Sequence, residues 1–232
     1  VVTHAHGDHV GSAARYSARF KIPVFATEAT ARAAHLGDPE RVRRYSAREP
    51  FAIGALTFFP RPVPHDAAQV ALVIEGGGRR AAVVTDLGEV PGGLVEHLAG
   101  CDALLLESNH DEEMLAKGPY PEHLKRRIRS ARGHLSNRQT HGLLTALARK
   151  RALAPTVVLM HLSEHNNHPE GLNMLHTCKI FPGRPVLGAW VSYALGLGNR
   201  DLPAYVVLTS FGTGRRDGPL RVELAGEAGA ED

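Results

Sequence analysis

The 232-residue sequence is poor in cysteine and lacks long apolar runs. Its two cysteines, Cys101 and Cys178, are too few for a disulfide framework or a thiolate metal site. So few thiols are typical of a reducing environment, and we therefore expect a cytoplasmic protein. No apolar run approaches the ~20 residues that span a bilayer, so we predict no membrane partner.

The composition is otherwise that of a folded globular protein. Apolar residues make up 43% of the chain and charged residues 22%, which excludes a disordered polypeptide. The formal net charge of +3 permits a phosphate-bearing partner without requiring one. The sequence starts at Val1 with no initiator methionine, so we expect the fold to be incomplete at the N-terminus.

Histidine is the residue present in unusual number, with 14 copies, and several of these are clustered. Residues 4–9 read HAHGDH, so three histidines and an aspartate fall within six positions. Extended backbone would bring His4 and His6 to one side, with Asp8 and His9 following at the start of a helix. This density of imidazole and carboxylate groups predicts a metal site rather than a merely histidine-rich surface loop.

Short apolar runs alternate with helical patterns along the first two thirds of the chain, which predicts an α/β fold. The glycines at 76–78 predict a hairpin turn. The predicted strands lie at 1–3, 23–27, 51–54, 55–63, 70–77, 79–86, 102–108 and 155–163. The predicted helices lie at 9–20, 28–36, 91–98, 119–131 and 136–151.

Four of the predicted strands lead directly into a potential metal ligand. These ligands are His4, His65, Asp86 and His161, and α/β folds place their active sites at the carboxyl ends of strands. A first metal would be held by His4, His6 and His65. A second would be held by Asp8, His9 and His161, and Asp86 would bridge the two. This nitrogen and oxygen set, with positions left open for water, suits zinc, manganese or iron.

The order His4-x-His6-x-Asp8-His9, His65, Asp86, His161 resembles the ligand order of the metallo-β-lactamase fold superfamily. The strings VTDLG (84–88), LLESNHDEEML (105–115), RGHLSN (132–137) and HLSEHNN (161–167) are similar to the YycJ/WalJ branch, which is related to ribonuclease Z. The resemblance covers residues 1–169, which we take as one partial domain. It implies a four-layer αβ/βα sandwich and metal-dependent phosphodiester hydrolysis, with DNA as the favoured substrate.

Two divalent metal ions, zinc or manganese, would lower the pKa of a bridging water and stabilise the attacking and leaving oxygens. We therefore predict a binuclear phosphodiesterase or nuclease that cleaves DNA or RNA through a metal-bridging hydroxide. Asp8 would orient the hydroxide or accept its proton, and His134 would contact phosphate or protonate the leaving group.

Other residues are weaker candidates for contacts with the substrate. We predict substrate binding by His110, Ser136 and Arg132, although His110 also suits a structural role and Ser136 would be a natural helix N-cap. The basic run at 125–132 would bind a nucleic-acid backbone, or else form a solvated helix face. His97 is interpreted as a surface residue.

Two other functions stay open at this stage. The same fold hosts hydrolases of small thioesters and lactones, because function resides in sites rather than in folds. The chain could also be an inactive metal-binding fragment.

The last part of the chain has a different character. Residues 170–232 are rich in glycine and proline and lose the helical period. Residues 173–214 resemble part of the DUF1501 family, which is sulfatase-like. We interpret 170–232 as a foreign segment, the alternative being a divergent C-terminal extension. The tail at 225–232 is expected to be disordered.

Overall fold

The structure is a computed structural model, and it describes residues 1–167. The predicted second segment at 170–232 lies outside the described residues, together with its DUF1501-like stretch and its tail. The expected domain boundary after residue 169 also lies outside them.

The described residues alternate between helices and strands, which confirms the predicted α/β class. The helices are α1 Gly7–Val10, α2 Ala13–Phe20, α3 Glu28–Ala33, α4 Leu94–Leu98, α5 Glu112–Lys117, α6 Glu122–Arg129 and α7 Asn137–Arg149, with a short 3₁₀ helix at Pro39–Arg41. The strands are β1 Val24–Thr27, β2 Val42–Tyr45, β3 Phe51–Ile53, β4 Leu56–Val63, β5 Gln69–Gly76, β6 Arg79–Val84, β7 Ala103–Glu107 and β8 Thr156–Met160.

Six strands form one mixed sheet in the order β3-β4-β5-β6-β7-β8. The strands from β3 to β6 pair antiparallel, and the predicted glycine turn joins β5 to β6 through Gly77 and Gly78 at positive φ. β6, β7 and β8 pair parallel, so their carboxyl ends lie along one edge of the sheet. This edge carries the residues that follow β6 and β8, among them Asp86 and His161.

The main hydrophobic core covers one face of the six-stranded sheet. Apolar side chains of β4 to β7 pack there against α4 and α7, with Val73, Leu104 and Leu147 fully buried. The longest described helix, α7, has 13 residues, and no helix in the described part has the length and apolarity needed to cross a bilayer.

The first 45 residues differ from the prediction in three ways. Residues 1–3 are not a strand, although Val2 N–H donates one backbone hydrogen bond to Phe25 at 2.8 Å. The single helix predicted at 9–20 is divided into α1 and α2. An unpredicted strand, β2, pairs parallel with β1. Its sequence VRRY hides the strand, because two exposed arginines interrupt the apolar pattern. Later in the chain, helix α5 was not predicted from the sequence either.

Candidate metal centre

The chain entering α1 carries four candidate ligands, which we call the amino-terminal group: His4, His6, Asp8 and His9. His6 is the N-cap of α1 in extended conformation, so Asp8 and His9 fall in a single helical turn. The imidazole of His4 is completely buried, whereas the side chain of Asp8 is 50% exposed. The group therefore spans the distance from the protein interior to solvent.

Three further candidates follow strands of the six-stranded sheet, and we call them the strand-end group: His65, Asp86 and His161. Asp86 and His161 have positive φ values of 58° and 57°, so each stands in the left-handed region directly after its strand. Non-glycine residues in this region are uncommon and concentrate at functional sites. The prediction that strands deliver His65, Asp86 and His161 matches their placement, but no strand leads into His4.

The two groups converge at the edge of the sheet. Asp86 Oδ1 lies 3.3 Å from His161 Nε2 and 4.0 Å from His65 Nε2, and Asp86 Oδ2 lies 3.1 Å from His9 Nε2. Within the described residues, potential ligand atoms lie within 4.8 Å of one another in four groups: His4/His6/His65, Asp86/Glu107/His134/His161, His4/His9/Asp86 and Asp8/His9/His161. The first and last of these are the two metal sets that the sequence predicts, and ligation itself stays a prediction.

The donor set fits divalent cations. His4 Nε2 and Asp86 Oδ2 are buried and have no hydrogen-bond partner, although His9 Nε2 lies close to the latter oxygen without hydrogen-bond geometry. Buried polar atoms are rarely left unpartnered, because each one loses its hydration without compensation. Imidazole and carboxylate ligands in two adjoining clusters are those that zinc and manganese take.

The electrostatics of the cluster favour a cation as well. Burial lowers the pKa of His4 to about 4, so its imidazole is neutral and able to bind metal. Burial opposes ionisation of Asp86, but the imidazoles of His9 and His161 hold the pKa of this carboxyl well below its usual range. The imidazole of His161 lowers the pKa of Asp8 to about 2. Both carboxylates are therefore ionised beside the histidines.

His161 feels the same negative charge. Burial opposes its protonation, but hydrogen bonds with Asp8 and Glu107 outweigh the burial and raise the pKa of His161 to about 10. A divalent cation would compete with the proton for Nε2, and it would be stabilised by the same carboxylates.

Glu107 is the site residue that sequence reasoning missed. It ends β7 and is completely buried, and its Oε1 accepts from Nδ1 of His134 at 2.8 Å and from Nδ1 of His161 at 2.9 Å. Oε2 accepts the backbone N–H groups of Leu87 and Leu135. Glu107 is thus saturated with hydrogen bonds, and it turns Nε2 of both imidazoles away from itself. The string LLES contained the signal, since a carboxylate inside a buried strand requires partners.

Asp66 is a second residue that was not singled out. Its Oδ1 lies 3.1 Å from His6 Nε2 and 3.2 Å from His65 Nε2, and its Oδ2 accepts from Arg127 Nε at 2.7 Å. Arg132 Nε donates to the carbonyl of His65 at 2.8 Å. Two basic side chains therefore stabilise the loop after β4, which presents His65.

These contacts change the interpretation of the basic run at 125–132. Lys125 is buried and donates to the Ala116 carbonyl, while Arg129 pairs with Glu122. Arg127 and Arg132 hold the His65 loop, so most of the run has structural partners. Binding of nucleic acid by this run stays a prediction, and the contacts of its side chains do not favour it.

His110 and Ser136 lie behind the candidate centre. Both are buried, and Ser136 caps α7 in a reciprocal pair with Gln139. The side chain of His134, by contrast, is 20% exposed, and its Nδ1 lies 3.8 Å from Asp86 Oδ1. The predicted substrate contact therefore finds support in the position of His134. Substrate contact by His110 and Ser136 stays a prediction, and the burial of both residues does not favour it.

The glycines of VTDLG and RGHLS allow two loops to touch behind the site. A Cβ on Gly88 would lie 2.4 Å from the backbone of residues 130–133, and one on Gly133 would lie 2.1 Å from the Ile128 carbonyl oxygen. The Gly133 carbonyl lies 3.0 Å from His65 Nδ1, the distance of a hydrogen bond. Close backbone approach therefore orients His65 as well.

Family comparison agrees with this geometry. A model described as Beta-lactamase superfamily domain matches residues 1–162, and one described as Protein of unknown function (DUF1501) matches residues 106–226. The chain therefore belongs to the beta-lactamase superfamily through residues 1–162 and to the DUF1501 family through residues 106–226. Both resemblances seen in the sequence are confirmed. The DUF1501 match, at 106–226, begins before and ends after the predicted stretch 173–214.

Among known proteins, the chain is 32% identical to exodeoxyribonuclease YycJ of Bacillus anthracis and 28% identical to exodeoxyribonuclease WalJ of Streptococcus pneumoniae serotype 2. The matches cover 73% and 75% of this chain, and 66% of each relative, slightly under two thirds of their length. The crystal structure of the metallo-beta-lactamase fold protein YhfI from Bacillus subtilis superimposes with a TM-score of 0.55 at 18% identity, over 74% of this chain and 67% of that one. The described residues therefore have the metallo-β-lactamase fold, which implies divalent metals.

Proposed function

We propose that this chain is a metal-dependent hydrolase of phosphodiester bonds in DNA, with two divalent ions, zinc or manganese, as its cofactors. The convergence of the amino-terminal and strand-end groups around two buried, unpartnered ligand atoms supports the proposal most strongly. An arrangement built only to stabilise the fold would instead pair these atoms.

The first ion would be held by His4, His6 and His65, and the second by Asp8, His9 and His161, with Asp86 between them. When bound, such ions stabilise negative charge on a phosphoryl group and lower the pKa of water. The exposed carboxylate of Asp8 is available to orient a water molecule or accept its proton.

His134 would act on the substrate rather than on the metal. Glu107 accepts the hydrogen of His134 Nδ1, so Nε2 is left to contact a phosphate oxygen or to protonate the leaving oxygen. Glu107 itself is a positioning residue, because it is completely buried and reaches the site only through His134 and His161.

DNA is proposed as the substrate because both relatives named above are called exodeoxyribonucleases. The predicted cytoplasmic location also stays a proposal. It is supported by the buried thiol of Cys101, which forms no disulfide within residues 1–167, and by the proposed substrate, because DNA is found inside cells.

The test is the metal content of the purified full chain, followed by cleavage of end-labelled DNA and of a thioester in parallel. We expect about two metal equivalents per chain, a sharp fall in Asp86→Ala, and cleavage of DNA alone. Glu113→Ala is the matched control, since Glu113 is exposed and its side chain pairs with Lys117 alone among residues 1–167. Metal without cleavage of either substrate would indicate an inactive fragment, and thioester cleavage alone would replace the proposed substrate.

A further inference from the structure

A polar cavity of about 340 Å³ lies beside β4 and β6, two of the strands that lead toward the candidate ligands. Its volume is at the lower end of the range for small-molecule pockets. It is lined by Arg48, Arg61, Arg80 and His97, with the ring of Phe59 and three prolines completing the wall. His97, interpreted from sequence as a surface residue, is half-buried here.

Two hydrogen-bonding atoms in this wall are left without partners. Arg80 Nε and His97 Nε2 are both buried and accept or donate no hydrogen bond within the described residues. The remaining contacts of Arg80 hold its guanidinium in place: it lies 5.8 Å from the centre of the Phe59 ring, and its Nη2 donates to the His97 carbonyl at 3.5 Å. The guanidinium of Arg80 is therefore fixed beside the cavity, and that of Arg61 is held in the same way, since its Nη2 donates to the Gly92 carbonyl at 2.6 Å.

The charge of the wall is positive. Three arginines line the cavity and no carboxylate does. Glu75 Oε1 lies 3.2 Å from Arg80 Nη1 and offsets the charge of that arginine, whereas Glu96 pairs with Lys150. The side chain of Arg48 has no ion pair among residues 1–167. Burial lowers the pKa of His97, and the nearby Arg61 and Arg80 lower it further, which shows that positive charge is concentrated at this point.

The cavity is separate from the candidate metal centre. Arg61 precedes His65 by four residues and Arg80 precedes Asp86 by six, so strand geometry puts them about 13 and 20 Å apart along the chain. These lengths are those of fully extended chain, and none of the residues that line the cavity is a candidate metal ligand.

We propose that this cavity binds the phosphate group of a nucleotide, either free or as part of a nucleic-acid strand. Arginine is the side chain best suited to phosphate, because its planar fork offers several donors in a fixed geometry. The partly buried ring of Phe59, which packs against the main core and has the Arg80 guanidinium over it, is the aromatic group of the wall that a base would contact. The cavity does not depend on the function proposed for the metal centre, and its test does not require cleavage.

The probe is the ring resonance of His97 in NMR spectra of the full chain, assigned with His97→Asn. Inorganic phosphate, a deoxynucleoside 5′-monophosphate and a short single-stranded oligodeoxynucleotide would be titrated in turn. We expect a saturable shift of the His97 signal. The double variant Arg48→Gln/Arg61→Gln should weaken phosphate binding about tenfold or more, because each substitution removes a charged donor.

The double variant Arg32→Gln/Arg79→Gln is the matched control, because it removes the same two positive charges at exposed arginines outside the cavity, which pair with Glu28 and Asp102. Tighter binding of the oligonucleotide than of the mononucleotide would identify the phosphate of a strand, and the reverse would identify a free nucleotide. An unmoved His97 signal with all three probes would overturn the proposal. Equal weakening by Arg32→Gln/Arg79→Gln would also overturn it, since this would reduce the effect to net charge.

Discussion

The amino-terminal and strand-end groups reach the same point but are held there by different means. Among residues 1–167, the only side-chain contact of His4 at hydrogen-bond distance joins its Nδ1 to Thr3 Oγ1 at 3.3 Å. Its ring otherwise packs against the rings of His6, His9 and His65, and its backbone depends on packing of Val2 against β1 and α2. His161 is held by Glu107 through its ring and by Asn109 through its carbonyl. Packing thus positions one half of the site and buried hydrogen bonds the other. The strand-end group should therefore be more sensitive than the amino-terminal group to substitutions of residues that are not candidate ligands.

The largest effect is expected for Glu107→Gln. The amide keeps the shape of the side chain but brings an NH₂ group against the N–H groups of Leu87 and Leu135, or else against the two imidazoles. We expect the free energy of unfolding to fall by about 3 kcal/mol, and metal bound through His161 to be lost. Chemical denaturation and metal analysis would measure both. Glu113→Gln should stay within about 0.5 kcal/mol, and equal stability of the two variants would contradict the structural comparison.

His134→Ala separates substrate contact from metal binding. Because His134 shares Glu107 with His161 but is proposed to act on the phosphate, we expect DNA cleavage to fall by about 10²–10⁴-fold with metal content unchanged. His6→Ala, in the amino-terminal group, should lose metal and activity together. Loss of metal in His134→Ala would make this residue a ligand instead.

Gly133→Ala tests the close approach behind His65. The new Cβ would lie about 2.1 Å from the Ile128 carbonyl oxygen, so backbone must shift, and we expect a loss of about 1–3 kcal/mol in the free energy of unfolding. Gly142, within α7, has open space around it, and Gly142→Ala should stabilise the protein by about 0.4–1 kcal/mol. Thermal unfolding of the pair would decide, and two changes of the same sign would argue against the described loop contact.

The smallest expected effects come from two substitutions, one beside His161 in the strand-end group and one beside His4 in the amino-terminal group. Asn109→Ala removes the hydrogen bond to the His161 carbonyl and should lower the free energy of unfolding by about 1 kcal/mol. Thr3→Val removes the long contact to His4 and should change it by less than about 0.5 kcal/mol. If Thr3→Val were the more damaging change, hydrogen bonding rather than packing would position the amino-terminal group.

The fold was predictable where apolar periodicity was clear. The buried runs of β5, β7 and β8 show their strands directly, and the capping residue Ser136 gives the start of α7. β2 could not be found in this way, because its hydrogen bonds come from β1, whose paired residues lie 18 positions earlier in the chain. The break between α1 and α2 depends on Gly11, where a Cβ would lie 2.5 Å from the Gly7 carbonyl oxygen.

The candidate ligands were predictable because their residue types carry the chemistry in themselves. Glu107 was not, because its role arises from the register of β7 with β8, which places it opposite Met160 and one residue from His161. Asp66 was likewise hidden, since its partner Arg127 lies 61 residues away in α6. The residues that hold the ligands in place are determined by contacts between distant parts of the chain, and these contacts cannot be read from a single sequence.

The left-handed backbone at Asp86 and His161 sets function against stability. Each of these positions carries a side chain in a conformation that costs roughly 1–2 kcal/mol relative to glycine, which adopts it freely. Glycine would relieve this backbone strain at both positions, but it would remove a donor from the metal centre and, at His161, the hydrogen bond to the buried Glu107. Retaining aspartate and histidine there is a trade-off, in which the chain gives up part of a small stability margin to keep its chemistry.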